Sequence, residues 1–232
     1  MEKISCIICA YNEAGRIGKV LNVVCSHPLI DEVIVVDDGS TDQTSEEVKE
    51  YHSVRLIPFD TNRGKSYAAA TGISQARNSL VMMMDADLIG LNEENVTRLV
   101  KPVLNGKTDI SISLRQNSLF IYKMIKLDFV SGERVLPKAI LADHLKNIRE
   151  LPGFGLESYM NRLIINNHCR IAIVRWQNVT HARKSEKLGL WKGLKEEVRM
   201  LSQILKVLSL RDIIYENYKL LSLIVQRADA PE

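Results

Sequence analysis

The chain has no run of about 18–20 apolar residues, so it offers no helix able to span a bilayer. It has four cysteines in 232 residues, six prolines and few aromatics (6%). That excludes a disulfide-built scaffold and a proline-rich linker protein. Cys6 and Cys9 have C-x-x-C spacing, but they fall inside an apolar run that reads as a strand, where residues three apart face opposite sides. A redox C-x-x-C sits near a helix start instead. The opening apolar stretch, Ser5 to Ala10, is too short for a secretory leader and ends at Tyr11-Asn12-Glu13. The expected location is therefore cytoplasmic, with reduced, inert cysteines. Net charge is only +3, too small to suggest nucleic acid as a partner. Residues 1–181 hold 21 basic and 21 acidic side chains, whereas residues 182–227 hold 10 against 5. The basic excess lies in the C-terminal segment.

What the chain does have is alternation. Apolar runs at Lys3–Ala10, Glu32–Val36, Val54–Pro58 and Leu80–Met84 read as strands buried on both faces. Between them lie helical patterns at about 14–26, from 41 to 51 and from 65 to 77. Four strand–helix repeats in some 85 residues predict an α/β fold with a doubly wound, mainly parallel sheet. The second half is less regular. Helices are expected at Asn92–Val103, Phe120–Lys126, Pro137–Lys146 and Leu156–Asn167, and strands at Asp109–Leu114 and Cys169–Trp176, with Ser131-Gly132-Glu133-Arg134 as a loop. From Leu188 to about Arg227 the pattern is helical, with Trp191, Leu194, Val198, Leu201, Leu205 and Leu208 on one stripe and Lys192, Lys195, Arg199 and Lys206 between them. The expected division is residues 1–185 as the main domain, made of a regular part, 1–90, and a less regular part, 91–185. Residues 186–232 form a basic, amphipathic helical segment. Such a helix suits the core, a homodimer interface, or peripheral contact with an anionic membrane surface.

Every early strand is followed by a polar loop of a particular kind: Tyr11-Asn12-Glu13, Asp37-Asp38-Gly39-Ser40, Asn62-Arg63-Gly64-Lys65 and Asp85-Ala86-Asp87. In a parallel sheet all four lie at the carboxyl edge, where open α/β sheets bind ligands. An aromatic for a base, carboxylates for a ribose or a metal, and cations for a diphosphate together suit a nucleotide. A divalent cation against phosphates needs only one or two carboxylates.

These four stretches, with Cys9-Ala10 ahead of Tyr11 and Val35-Val36 ahead of Asp37, closely resemble glycosyltransferase family 2, which has the GT-A fold. The resemblance implies a nucleotide-sugar donor (UDP- or GDP-sugar), Mg²⁺ or Mn²⁺, and an acceptor it does not identify. It assigns Ala10, Tyr11, Glu13 and Asp38 to the nucleoside, Lys65 to the donor pocket, Asp85 and Ala86 to the ribose side, and Asp87 to the metal. His181 corresponds to a histidine that completes the metal site in many related enzymes, and Arg183 with Lys184 could neutralise the diphosphate. Glu157, in Gly153-Phe154-Gly155-Leu156-Glu157, matches a segment that carries an acidic base in inverting members. There the second carboxylate of the usual pair is replaced by Ser158. The Gly-Leu-Glu arrangement is also similar to retaining glucosyl-3-phosphoglycerate synthases, which need no base, so the stereochemistry stays open. Arg134 resembles a residue facing the sugar or an anionic acceptor. Two rivals fit less well. A sugar nucleotidyltransferase needs a glycine-rich phosphate loop after the first strand, which Ala10-Tyr11-Asn12-Glu13 does not supply. An inactive membrane-bound scaffold does not require an intact Asp85-Ala86-Asp87.

Overall fold

A computed structural model describes residues 3–115, 127–152, 155–181 and 209–228. The first half follows the expected alternation. Strand β1 (Ile4–Ala10) leads to α1 (Ile17–Val24), β2 (Ile30–Asp37) to α2 (Thr44–Lys49), β3 (Val54–Pro58) to α3 (Lys65–Gln75), and β4 (Leu80–Asp85) carries the Asp-Ala-Asp stretch. A two-residue strand, β5 (Leu88–Ile89), and helix α4 (Glu93–Leu104) follow. Helix α4 opens with a reciprocal capping box between Asn92 and Asn95.

The remaining strands are β6 (Ile110–Arg115), β7 (Arg134–Pro137), β8 (Ile171–Trp176), β9 (Thr180–His181) and β10 (Ile224–Ala228). Eight strands form one sheet in the order β10-β8-β6-β7-β4-β1-β2-β3, and β5 pairs separately with β9. Every pairing in the large sheet is parallel except those of β7, which runs antiparallel to both β4 and β6. The order reverses at the β4–β1 boundary, because β2 and β3 extend to one side of β1 and β4 to the other. Such a switch point opens a crevice at the carboxyl edge.

Both faces of the sheet are covered, which explains the continuous apolar runs. Ile7, Ile34, Val36 and Val81 pack under the alanine-rich α3 on one side, and Cys6, Ile8, Val35 and Met82 pack under α1 and α4 on the other. Cys6 and Cys9 therefore sit on opposite faces, and no disulfide links the four thiols. Burial drives both thiols up, Cys9 to about 12. Gly72, in α3, lies so close to the sheet that a Cβ there would come within 2.4 Å of Ile7.

Three elements differ from the sequence expectations. Arg134 begins strand β7 instead of closing a loop, because four residues ending in proline are too short to show a strand period. The helix expected over 137–146 is two short ones, α5 (Ala139–Ala142) and α6 (Leu145–Arg149), broken at His144. The C-terminal pattern ends in helix α8 (Leu210–Leu223) and then strand β10, which joins β8 at the sheet edge. No glycine or proline separates them, and the apolar residues of Ile224–Ala228 suit either state. The end of the expected helical segment is thus part of the main sheet. The helix expected at Phe120–Lys126, the stripe from Trp191 to Leu208, and Arg183 with Lys184 lie outside the described residues. No described helix is long and apolar enough to cross a membrane.

Candidate active site

The loops after β1 and β2 hold each other through side chains that accept from backbone N–H groups. Asn12 N–H donates to Ser40 Oγ at 2.9 Å, Thr41 N–H to Asn12 Oδ1 at 2.8 Å, and Glu13 N–H to Thr44 Oγ1 at 2.7 Å. Asn12 takes a left-handed conformation (φ 56°), which asparagine tolerates better than most residues. Asp37 accepts from Ser40 N–H and Ser45 Oγ–H and so shapes its own loop. Asp38 reaches the next loop, where its two oxygens accept from Arg63 N–H at 2.7 Å and Gly64 N–H at 2.9 Å. Gly39 (φ +73°) lets the backbones meet, since a Cβ there would stand 2.5 Å from the Thr61 carbonyl carbon.

These loops and the end of β4 enclose a cavity of about 520 Å³ lined by Cys9, Ala10, Tyr11, Glu13, Asp38, Asn62, Gly64, Lys65, Asp85, Ala86 and Asp87. The structure thus brings together eight sequence-selected residues: Ala10, Tyr11, Glu13, Asp38, Lys65, Asp85, Ala86 and Asp87. Tyr11 is 45% exposed, with its ring available at the rim. Burial pushes the Glu13 carboxyl up; Arg16 opposes this through a hydrogen bond, and the nearby charge of Asp87 adds to it.

Lys65, at the start of α3, joins two elements. Its Nζ is 3.0 Å from Asp85 Oδ1 and 3.0 Å from Glu157 Oε1 on α7 (Gly155–Asn166). Burial pulls the ammonium down, but the two carboxylates outweigh it and hold Lys65 well above its ordinary value. Glu157 is buried, and its Oε2 has no hydrogen-bond partner among the described residues.

Behind Asp85 lies a buried ionic cluster that sequence reasoning did not assemble. Arg115 Nη1 contacts Glu133 Oε1 at 2.5 Å and Asp85 Oδ2 at 3.5 Å, and its Nη2 is 3.9 Å from Asp128. Burial opposes the charge on Arg115, yet Glu133, Asp128 and Asp85 together raise its pKa. Glu133 also accepts from the Ser113 and Ser131 hydroxyls at 2.7 and 2.9 Å. Gly132 touches this cluster; a Cβ there would come within 2.7 Å of both Asp85 carboxylate oxygens. Arg115 gave the same signal as Asp85, a charge at the end of an apolar strand, but it stands alone there.

Arg134 is not on the cavity wall. It is fully buried, donating from Nη1 to Asn161 Oδ1 at 3.1 Å and from Nη2 to the Ser131 carbonyl. Expected to face an acceptor, it instead stands as the first residue of β7 with its guanidinium in the core, where it braces α7 against the 128–134 segment. The pairing of β5 with β9 sets Leu88 opposite His181, so the histidine backbone lies one residue along from Asp87. Among the described residues, no three candidate ligands converge as a metal cage. The cavity wall nevertheless carries four carboxylates against one ammonium. That donor set suits a hard divalent cation which takes its other ligands from phosphates and water.

An open, mainly parallel sheet with helices on both faces and an acid-rich crevice at its switch point defines an α/β protein, and here the fold is GT-A. The family model described as "Glycosyl transferase family 2" matches residues 5–127, just over half of the chain, and the chain belongs to this family. It is similar to the poly-beta-1,6-N-acetyl-D-glucosamine synthase of Staphylococcus epidermidis (37% identity over 93 residues, 38% of this chain and 23% of the relative). It is also similar to the dolichol-phosphate mannosyltransferase of Pyrococcus furiosus (28% over 229 residues, 88% and 64%). The chain thus spans less than two thirds of these relatives. Among solved structures, glucosyl-3-phosphoglycerate synthase from Mycobacterium tuberculosis, crystallised with Mn²⁺, UDP-glucose and phosphoglyceric acid, superposes with a TM-score of 0.64 at 22% identity, covering 79% of this chain and 72% of that one.

Proposed function

We propose that this chain transfers a sugar from a UDP- or GDP-sugar to an acceptor oxygen, with Mg²⁺ or Mn²⁺ as cofactor. The carrying observation is the convergence of Tyr11, Glu13, Asp38, Lys65, Asp85 and Asp87 on one crevice. Among the described residues the wall has four carboxylates and one ammonium, a balance that supports a divalent cation as the partner of a bound diphosphate. Asp87, with His181 beside it in the chain's pairing, would hold that ion. When bound, it would neutralise the departing nucleoside diphosphate.

The chain's own groups divide the remaining work. Tyr11, Ala10, Glu13 and Asp38 take the nucleoside, and Asp85 and Ala86 take the ribose side. Lys65 is the cation placed for the diphosphate, with Arg183 as a further candidate. The acceptor oxygen attacks the anomeric carbon as the bond from that carbon to the diphosphate breaks, and the acceptor proton departs. Glu157 would orient the incoming hydroxyl or take its proton. Its engagement by the Lys65 ammonium favours the orienting role, and hence the retaining reading, in which the proton leaves with the phosphate. The phosphate-bearing acceptors in the names of two relatives support an anionic acceptor here.

Calorimetry with UDP and GDP, with and without Mn²⁺, followed by hydrolysis of a nucleotide-sugar panel, tests this reading. Binding should require the metal, EDTA should abolish turnover, and Asp87→Ala should lose at least about 100-fold. Full turnover in EDTA would refute the metal, and failure of both nucleotides to bind would refute the donor.

A further inference from the structure

Helix α7 has two polar sides, on which Glu157, Ser158 and Asn161 are buried and Arg162 is half exposed. Glu157 turns toward the site and meets Lys65 Nζ at 3.0 Å, while Asn161, on the same side, accepts from Arg134 Nη1 at 3.1 Å in the layer beneath. Ser158 and Arg162 turn toward α8. There Ser158 Oγ donates to Glu216 Oε1 at 2.6 Å, and Arg162 Nε meets the same oxygen at 3.1 Å. Glu216 is 1% exposed, although the outer face of α8 displays Ile214, Tyr215 and Tyr218 to solvent. The second oxygen, Oε2, has no hydrogen-bond partner among the described residues.

A buried carboxylate with one unpartnered oxygen is a costly way to join two helices; an aliphatic side chain would do so at lower cost. What the carboxylate adds is direction. Successive helix residues are about 100° apart, so fixing Ser158 against α8 fixes the azimuth at which Glu157 leaves the helix. Among the described residues, the start of α7 is also tied by Gly155 N–H to the Pro152 carbonyl at 2.8 Å, and by Tyr159 Oη, 3.1 Å from His144 Nδ1 and accepting from Asn147 Nδ2 at 3.2 Å. Of these side-chain ties, the one from Ser158 is next to Glu157 in the chain and reaches α8. Ser158 also stands where the resemblance leads one to expect the second acid of a pair, and the acid found there comes from α8.

We propose that Glu216 is a positioning residue for the Lys65–Glu157 pair, acting through Ser158 and the first turn of α7. The C-terminal helix is then part of what shapes the sugar end of the site, 58 residues along the chain from the helix it aligns. The proposal rests on Lys65 and Glu157 belonging to the working site, but the contact itself can be tested without a substrate.

The full chain would be compared as wild type, Glu216→Ala, Glu216→Gln and Ser158→Ala. Crystal structures should show Glu157 withdrawn from Lys65 beyond hydrogen-bond distance in Glu216→Ala and retained in Glu216→Gln, whose amide oxygen still accepts from Ser158. Affinity for UDP or GDP with Mn²⁺ should be unchanged, while turnover of the matching nucleotide-sugar falls about tenfold or more in Glu216→Ala, as misplaced site groups do. Glutamine should rescue it. If Glu216→Ala does not fold, Ser158→Ala, which removes only the hydroxyl, should move both readouts in the same direction. An intact Lys65–Glu157 contact in the folded alanine variants would overturn the proposal. So would equal losses of nucleotide affinity and turnover, or a glutamine variant that behaves like alanine. If wild type binds neither nucleotide, the functional reading falls while the crystallographic comparison still decides the positioning role.

Discussion

Replacing Asp38 by alanine separates two roles that converge on one carboxylate. Asp38 lines the cavity, which fits nucleoside binding, but both oxygens already accept backbone N–H groups, from Arg63 at 2.7 Å and Gly64 at 2.9 Å. Hydrogen bonds to a charged group contribute about 1.5–3 kcal/mol each. Arg63 and Gly64 are partly solvent-accessible, so water can replace some of the loss, and the expected destabilisation is about 3 kcal/mol rather than the upper sum. For a domain of this size that lowers Tm by roughly 6–12 °C.

Asp38→Asn is the informative partner. One oxygen still accepts, while the amide nitrogen faces a backbone donor, so about half the loss or more should persist. Thermal and urea melts measure stability, and calorimetry with UDP or GDP measures the nucleoside contribution in the same samples. Nucleotide affinity should fall by a further 1.5–3 kcal/mol or so in the folded fraction if Asp38 also contacts the base. An alanine variant that melts with wild type would refute the loop-holding role. One that loses stability but binds nucleotide normally would confine Asp38 to that role.

Three further outcomes are expected. Gly39→Ala should be more damaging than its size suggests, by about 2 kcal/mol or more, because it combines a left-handed φ with a backbone clash at Thr61; an unchanged urea midpoint would contradict it. Cys9, whose thiol burial pushes up to about 12, should resist a disulfide reagent at pH 8 in the native state and react on unfolding, whereas rapid native labelling at Cys9 would contradict it. Burial lowers the His27 pKa, with Nε2 near Thr97 Oγ1 at 2.9 Å and Nδ1 accepting from Leu29 N–H at 3.3 Å. The unfolded chain therefore protonates first as pH falls through about 6.5, and stability declines below that point; His27→Gln should flatten this part of the pH–stability curve, and an equal slope in both proteins would assign the proton uptake elsewhere.

The half of the fold with strong periodicity was legible in the sequence, and so was the crevice it builds. Strands buried on both faces leave long apolar runs, and parallel strands place their trailing loops at one edge, so Tyr11, Asp38, Lys65 and Asp85 could be grouped before any coordinates. What was not legible depends on contacts far apart in sequence. Strand β7 is four residues long and gains its identity from β4 and β6 on either side. Strand β10 follows α8 without a breaker and is defined by the exposed edge of β8. Arg134 carries the same chemistry in a loop or a strand, and only the strand's direction turns it inward.

The distribution of charge between the cavity and the layer beneath it follows from that single antiparallel strand. β7 starts next to the end of β4, so Glu133 and Arg134 arrive under Asp85 from the opposite direction, and Arg115 comes from β6 beside them. The guanidiniums of Arg115 and Arg134 are thereby kept behind the wall, satisfied mainly by Glu133, Asn161 and Ser131. Among the described residues the wall itself keeps an excess of carboxylates, with Lys65 as the ammonium beside them. With both arginines held below, Asp85 is fixed between Lys65 and Arg115.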